Sequence, residues 1–296
     1  MRLDKSSILQ DLRALGISVD DNVFLTIDIG KVGFWNGSRT ETLQAWVDIL
    51  KELVGDRGSI VLAAYTSGVS MLNMSKTLPV FNRYSKPNSG ALPAFIVKDS
   101  RAHRSYHPTN SVVGYGNALK EIFLNHNHKS GSYSVMGELA RLPKSKHLMI
   151  GTLDKRNSPQ SMHYAQEVLG ITRKHPLSGL YRIAFIHESG IQRVFRRMDV
   201  GGCSSGGYKL FAELVLNNNL KLGVVGETHA AVMNAQISND IAYNILKKNP
   251  ASFICDDVKC FECRGHLGNF NYMDLLFFYS RNIIFIFKKA ISKIGR

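Results

Sequence analysis

The chain has 296 residues, 44% of them hydrophobic, enough to bury a sizeable core in one large domain or in a domain with an appended lobe. Thirty-seven Lys and Arg against 23 Asp and Glu give a net charge of +14, so an anionic partner is expected at the surface. The basic residues gather into no recognition helix, no aromatic ladder accompanies them and no repeat runs through the chain, so neither a nucleic-acid partner nor a solenoid is expected.

The opening MRLDKSSILQDLRALGI lacks the apolar core of a signal peptide and reads as a helix, which implies a cytoplasmic protein. Ser6 and Ser7 precede Ile8, Leu9, Leu12 and Leu15 at helical spacing, and Gly16 ends the run. Asn22 to Ile29 is a nearly continuous apolar, β-branched run, the pattern of a strand buried on both faces. After a turn with Gly33 and Gly37, residues Thr42 to Val54 place Leu43, Trp46, Val47, Leu50 and Leu53 on one helical face, and a strand follows from Ser59 to Tyr65. Strand, helix and strand in that order predict parallel pairing. The polar excursion from Ser67 to Pro93 reads as a binding lobe or lid. Short helices are expected at Ala94 to Val97 and Ala118 to Leu124. A buried strand follows at His147 to Thr152, and a helix at Ser161 to Leu169. Tyr181 to His187 and Gln192 to Arg196 alternate around Ser189-Gly190 as a β-hairpin would. Phe211 to Leu216 reads as helix, and the apolar GVVGETHAAVMNAQ after Lys221 as a close-packed helix. The expected fold class is α/β: a mixed or mostly parallel central sheet flanked by helices, with an inserted loop and hairpin lobe and a C-terminal amphipathic helix. A main domain at 1–250 and a Cys-containing segment with a basic tail at 251–296 are the expected divisions.

Three ordered patterns carry a resemblance. They are the strand–turn–helix from Val23 to Gly37; Arg104-Ser105-Tyr106-His107-Pro108-Thr109-Asn110-Ser111; and Gly151-Thr152 through Asn157 to His163-Tyr164-Ala165, with Gly131 to Leu139 between the last two. Together, over roughly residues 1 to 240, they resemble the antibiotic N-acetyltransferase family, typified by the aminoglycoside 3-N-acetyltransferases. The resemblance implies acyl transfer from acetyl-CoA, or another acyl-CoA, to an amine.

Such a transfer needs a base, since only the neutral amine is nucleophilic, and histidine suits the role near pH 7. His163 stands where the family's base is found, at the start of a predicted helix beyond a buried strand. A histidine capping that helix is the alternative. Gln166 replaces the family's glutamate and cannot stabilise an imidazolium as a carboxylate would. Asp199 and Asp28 are therefore the candidate supporting acids, Asp28 because Thr26-Ile27-Asp28 stands in place of the family's His-Ser-Ser run; a turn-capping role is open for it. Arg104, His107, Asn110 and Gln166 are the candidate acceptor-binding residues. Gly37, Ser38, Arg39 and Thr40, opening a helix, are candidates for cradling the CoA phosphates, with Ser105 and Ser111 beside them; plain capping and turn roles are open for these groups. The basic charge disfavours a polycationic drug and favours a phosphorylated amino sugar, nucleotide- or lipid-linked, such as surface-polysaccharide assembly uses. An aminoglycoside acetyltransferase and a non-catalytic, membrane-associated binding protein of the same fold are the competing readings.

Cys255, Cys260, Cys263 and His266 are ligand types suited to zinc at compressed spacing, and reduced packing thiols fit equally, so no metal is assigned. Met273 to Ile294 mixes apolar residues with Arg281, Lys288, Lys289 and Lys293, a pattern for a basic amphipathic helix on the inner face of a membrane, on the body of the protein or on a second subunit.

Overall fold

Asp4 caps the first helix, α1 (Lys5–Leu15), by accepting from the Ser7 backbone N–H, and Gly16 closes it with a left-handed φ of 106°. The chain continues through β1 (Asn22–Ile27), α2 (Ile29–Val32), α3 (Arg39–Val54), β2 (Ser59–Ala63), β3 (Val69–Ser70) and β4 (Val80–Phe81). Then come α4 (Ala91–Ile96), β5 (His103–Arg104), β6 (Val112–Tyr115), α5 (Leu119–Asn125), α6 (Ser134–Ala140), β7 (Ser145–Ile150) and α7 (Gln160–Val168). The last stretch holds β8 (Tyr181–Ile186), β9 (Gln192–Arg196), α8 (Tyr208–Leu216), β10 (Lys221–Val225), β11 (Thr228–Asn234), α9 (Ala235–Lys248) and α10 (Phe261–His266). This computed structural model describes all residues except 1–3, 34–36, 71–76, 155–156, 176–177, 188, 199–202, 259, 269–272, 274–275, 277–279 and 281–296.

Among the described residues, seven strands form one mixed sheet in the order β10-β11-β7-β1-β2-β6-β5. Its centre is parallel, with Leu25 of β1 in register with Leu148 of β7 and Leu62 of β2, while the outer strands pair antiparallel. The sheet is covered on both sides, because alternate strand residues face opposite clusters. Val23, Leu25, Leu148 and Ile150 join α1, α3 and α4 through Leu12, Trp46, Leu50 and Ile96. On the other face Met149 and Met233 meet Met162, Ala165 and Leu246 of α7 and α9, while Phe24 and Val61 meet Phe123 and Tyr133. Each fully buried Leu, Ile or Met here contributes about 1.5–3 kcal/mol of transfer free energy. The expected α/β class, with helices on both sides of a mixed sheet, is what the structure has.

One segment differs from expectation, and the expected inserted lobe has strands that the sequence did not show. Residues 221–234 form the antiparallel hairpin β10–β11 rather than a helix. The physical reason is a two-residue loop: Val225 pairs with Thr228, and Gly226 takes a φ of 58° that such turns demand. Ala230 and Val232 then face one core, and Ala231 and Met233 the other, so the run is apolar because both faces of the strand are buried. The excursion at 67–93 is not structureless. Its β3 and β4 pair with β8, which pairs in turn with β9, and Phe81, Ile183, Phe185 and Phe195 form a small core of their own. The expected hairpin at 181–196 is present as β8–β9.

Beyond residue 250 the described part of the Cys-containing segment packs on the preceding elements. Phe253 belongs to the core beneath α8 and α9, and Gly206 lies so close to the Phe253 carbonyl that a Cβ there would stand 1.9 Å from its oxygen. The expected tail helix at 273–294 falls almost wholly outside the described residues. No described helix is long and apolar enough to cross a membrane.

Candidate active site

The carboxyl end of β7 leads through a loop into α7, and His163 sits one turn into that helix, on the face that turns away from Met162 and Ala165. Its Nδ1 lies 3.1 Å from Gln166 Oε1, one turn further along the same helix. An amide oxygen only accepts, so Nδ1 carries the hydrogen and Nε2 keeps its lone pair. Nε2 is 3.2 Å from both Ser158 Oγ and Ser204 Oγ. The ring of Tyr133 stacks on the imidazole at 5.1 Å between centroids. Burial pushes the imidazole down to about 4, with Gln166 opposing the shift and the nearby His266 and Arg197 adding to it. The ring is thus neutral at pH 7, and the hydrogen on Nδ1 gives the tautomer that suits Gln166 Oε1.

An outer ring of groups holds Tyr133 in place. Both Glu167 carboxylate oxygens accept from the Tyr133 backbone N–H, at 3.1 and 3.0 Å, and the Tyr133 hydroxyl meets the side chains of Asn110 and Arg197. Tyr65 stands edge-on to Tyr133 and donates to Gln160 Oε1 at 3.1 Å. Gly207 brings the short 3-10 turn Ser204–Gly206 against the loop that leads into α7: a Cβ at 207 would lie 1.9 Å from Ser158 Cβ. Close backbone packing therefore sets the Ser158–His163–Ser204 geometry.

The sequence led us to expect the imidazole facing an open cleft. Instead the ring is 4% exposed, because Tyr133 and the 203–207 turn cover it, and it does not line any of five well-formed clefts among the described residues. One cleft, of about 560 Å³, includes Gly131, which packs on Glu167, and carries Lys129, Arg173, Arg193 and Arg196 but no carboxylate. A second, of about 480 Å³, is lined by Phe81, Tyr106, Phe185 and His187 where the small sheet meets the main one.

Comparison with known proteins decides the ancestry of this arrangement. The family model described as aminoglycoside 3-N-acetyltransferase matches residues 26–247. The chain belongs to that family. A curated relative, the SPbeta prophage-derived aminoglycoside N(3')-acetyltransferase-like protein YokD of Bacillus subtilis, is 24% identical over 157 residues, 47% of this chain and 55% of YokD, so the match spans about half of that relative. Solved structures share the fold. AAC(3)-IVa superposes with a TM-score of 0.72 at 14% identity, covering 91% of this chain and 98% of that one. AAC-IIIb, solved with CoASH, gives 0.68 at 19% identity, covering 84% and 97%. The YokD structure gives 0.68 at 20%, covering 86% and 97%.

Within this aminoglycoside acetyltransferase fold the expected site residues separate. Asn110 and Gln166 join His163, Asn110 through Tyr133. Arg104 does not. Its guanidinium is buried above the Phe81 ring and donates to Ser111 Oγ and Thr66 Oγ1 and to the backbone carbonyls of Ala64, Arg83 and Ser85. That leaves no face for a ligand, and burial lowers its pKa to about 10, still charged at neutrality. His107 is equally internal: Nδ1 accepts from the Asn110 N–H at 2.9 Å, and the ring stacks on His126 at 4.9 Å. Ser105 Oγ accepts from the Val112 N–H and meets His126 Nδ1, and Ser111 Oγ donates to the Ala64 carbonyl, so both serve the turn rather than a cofactor.

Asp28 caps α2 by accepting from the Gly30 N–H, and it pairs with Lys31. The Gly37–Thr40 turn is closed by a capping box in which Ser38 Oγ accepts from the Glu41 N–H and Glu41 Oε2 from the Ser38 N–H. The Glu41 carboxylate thereby occupies the position that a phosphate would need. Both Asp28 and this turn belong to elements on the α3 side of the sheet, opposite α7, and neither contacts His163. Asp199 lies outside the described residues. The residues that sequence reasoning missed are Ser158, Ser204, Tyr133 and Glu167. Only the Gly131 to Leu139 pattern hinted at one of them.

Proposed function

We propose that the protein is an acetyl-CoA-dependent N-acetyltransferase acting on an amino group of an aminoglycoside-type acceptor, with His163 as the base. The observation that carries this reading is the fixed tautomer: Gln166 occupies Nδ1 and leaves the Nε2 lone pair to two hydroxyls that a substrate N–H can replace. In the transfer, the neutral amine forms the C–N bond with the thioester carbonyl, the C–S bond breaks, and the proton passes from nitrogen through Nε2 to the departing CoA sulfur. Because the ring is covered, the acceptor reaches Nε2 only by displacing Ser158 or Ser204. Sisomicin and a gentamicin are named as ligands of two relatives of the same fold, which is the support for this acceptor class. The cleft with Lys129, Arg193 and Arg196 suits the phosphates of CoA.

The same basic cleft, with the net charge of +14, favours a second reading in which the acceptor is itself a phosphorylated amino sugar. Thiol release from acetyl-CoA, followed with a thiol reagent in the presence of gentamicin, sisomicin or a nucleotide-linked amino sugar, separates the two. Turnover with the drugs supports the first reading and turnover with the nucleotide sugar alone the second. No thiol release with any amine, despite calorimetric binding of acetyl-CoA, overturns both.

A further inference from the structure

The fold gathers Cys203, Cys255, Cys260 and Cys263, all the cysteines of the chain, at one point, their four sulfurs within 4.8 Å of one another. Three come from a short stretch near the end of the described chain, and the fourth comes from the turn beside His163, some fifty residues earlier. We infer that these four thiolates hold one tetrahedral zinc ion, and that the ion fastens the 255–263 segment to the turn that carries Ser204.

Four independent features support a built site. Thiolates bound to zinc at about 2.3 Å stand about 3.8 Å apart at the corners of a tetrahedron, and Cys255 Sγ and Cys263 Sγ are already 3.6 Å apart. The Cys255 backbone N–H donates to Cys263 Sγ at 3.3 Å, the kind of outer hydrogen bond that steadies a metal-bound sulfur. Cys260 stands at the N-cap of α10 and Cys263 in its first turn, while Cys203 is the N-cap of the 3-10 turn Ser204–Gly206, and these positions at element ends fix the directions of their side chains. The backbone around them is tightly packed, since Gly206 abuts the Phe253 carbonyl and Lys209 Nζ donates to the Ile254 carbonyl at 2.7 Å. Four sulfurs converging on one centre fit a single ion better than two disulfides, which would need S–S distances near 2.0 Å within each pair. The sequence had placed His266 in the set. The structure instead groups His266 with His175 and Glu262, and gives the fourth corner to Cys203.

Binding breaks four S–H bonds, forms four Zn–S bonds and releases four protons to solvent. The consequence for the neighbouring site is positional: with Cys203 anchored, the next residue, Ser204, is held 3.2 Å from His163 Nε2.

The test needs no enzymatic readout, so its failure is distinct from failure of the acetyl-transfer reading. Full-length protein, produced without a metal-binding tag and dialysed, is analysed for metals and for thiols under native conditions. We expect one zinc per chain, thiols that a native thiol reagent does not reach, and stoichiometric zinc release when an organomercurial is added. Replacing zinc by cobalt should give the intense visible bands of a tetrahedral cobalt thiolate. Cys203→Ser and Cys263→Ser should each weaken retention at least about tenfold against a competing chelator. A wild-type chain that carries no zinc, takes up no cobalt and shows four reactive thiols, or a mass deficit from disulfides, overturns the site. Zinc held equally well by a folded Cys203→Ser chain also overturns it. If that variant does not fold, the wild-type metal, cobalt and thiol measurements decide alone.

Discussion

His163 is a buried imidazole whose protonated form the surroundings disfavour, and its proposed role as the base makes specific demands on mutation. His163→Ala should lower kcat/KM by about 10²–10⁴-fold while leaving far-UV circular dichroism unchanged; undiminished turnover would remove the base from the mechanism. Burial holds the imidazole near 4, so the acid limb of activity should lie well below the 6.5 of a free histidine. Gln166→Glu puts a carboxylate on Nδ1, favours the imidazolium and should move that limb upward. A pH–rate profile of the two forms checks this, and an unmoved limb would show that Gln166 does not govern the ring. The position of His163 was legible in the sequence because a short motif follows a buried strand. Its partner Ser204 was not, because packing across some forty residues of chain brings it to the ring, and Ser158, five residues before His163, was not because no local pattern marks it.

At the scale of elements, the 203–207 turn is wedged between the catalytic loop and residues 253–254, and glycine is needed there for closeness rather than for an unusual φ. Gly207→Ala adds a methyl 1.9 Å from Ser158 Cβ, which should cost about 1–3 kcal/mol in urea unfolding and a larger fraction of activity than of stability. Equal losses would mean that the turn supports the fold alone. Helix α3 and the strands β1 and β7 were readable from periodicity and β-branched runs, though the pairing of the two strands was not. The β10–β11 hairpin was not, since a strand buried on both faces and a packed helix carry the same apolar composition, and only the Gly226 turn distinguishes them. Helix α6, seven residues long, escaped because the run from Gly131 to Leu139 opens on Gly, Ser and Tyr and carries a further glycine at 137, a composition that reads as a turn.

At the scale of the whole molecule, buried histidines set the response to acid. Burial lowers His126, His163 and His175 to about 4 and His147 to about 3. Their folded pKa values lie below the unfolded 6.5, so the unfolded chain binds more protons as pH falls. Stability should therefore be full above about 6.5 and decline toward 4, each group contributing up to about 1.4 kcal/mol per pH unit. Denaturant midpoints measured from pH 7.5 to 4 test this, and a flat profile would contradict the burial of these rings. The core itself should answer to Leu50→Ala with a loss of about 2–5 kcal/mol, seen as a lower urea midpoint. Finally, the Arg-Ser-x-His-Pro run that makes the chain recognisable is a fastener: Arg104 gathers three backbone carbonyls from two loops, and His107 pins the turn that follows. A descendant that had lost its chemistry would still need those bonds to fold. Retention of this signature in a distant sequence therefore testifies to inherited shape, and its reaction has to be read from the surroundings of the imidazole.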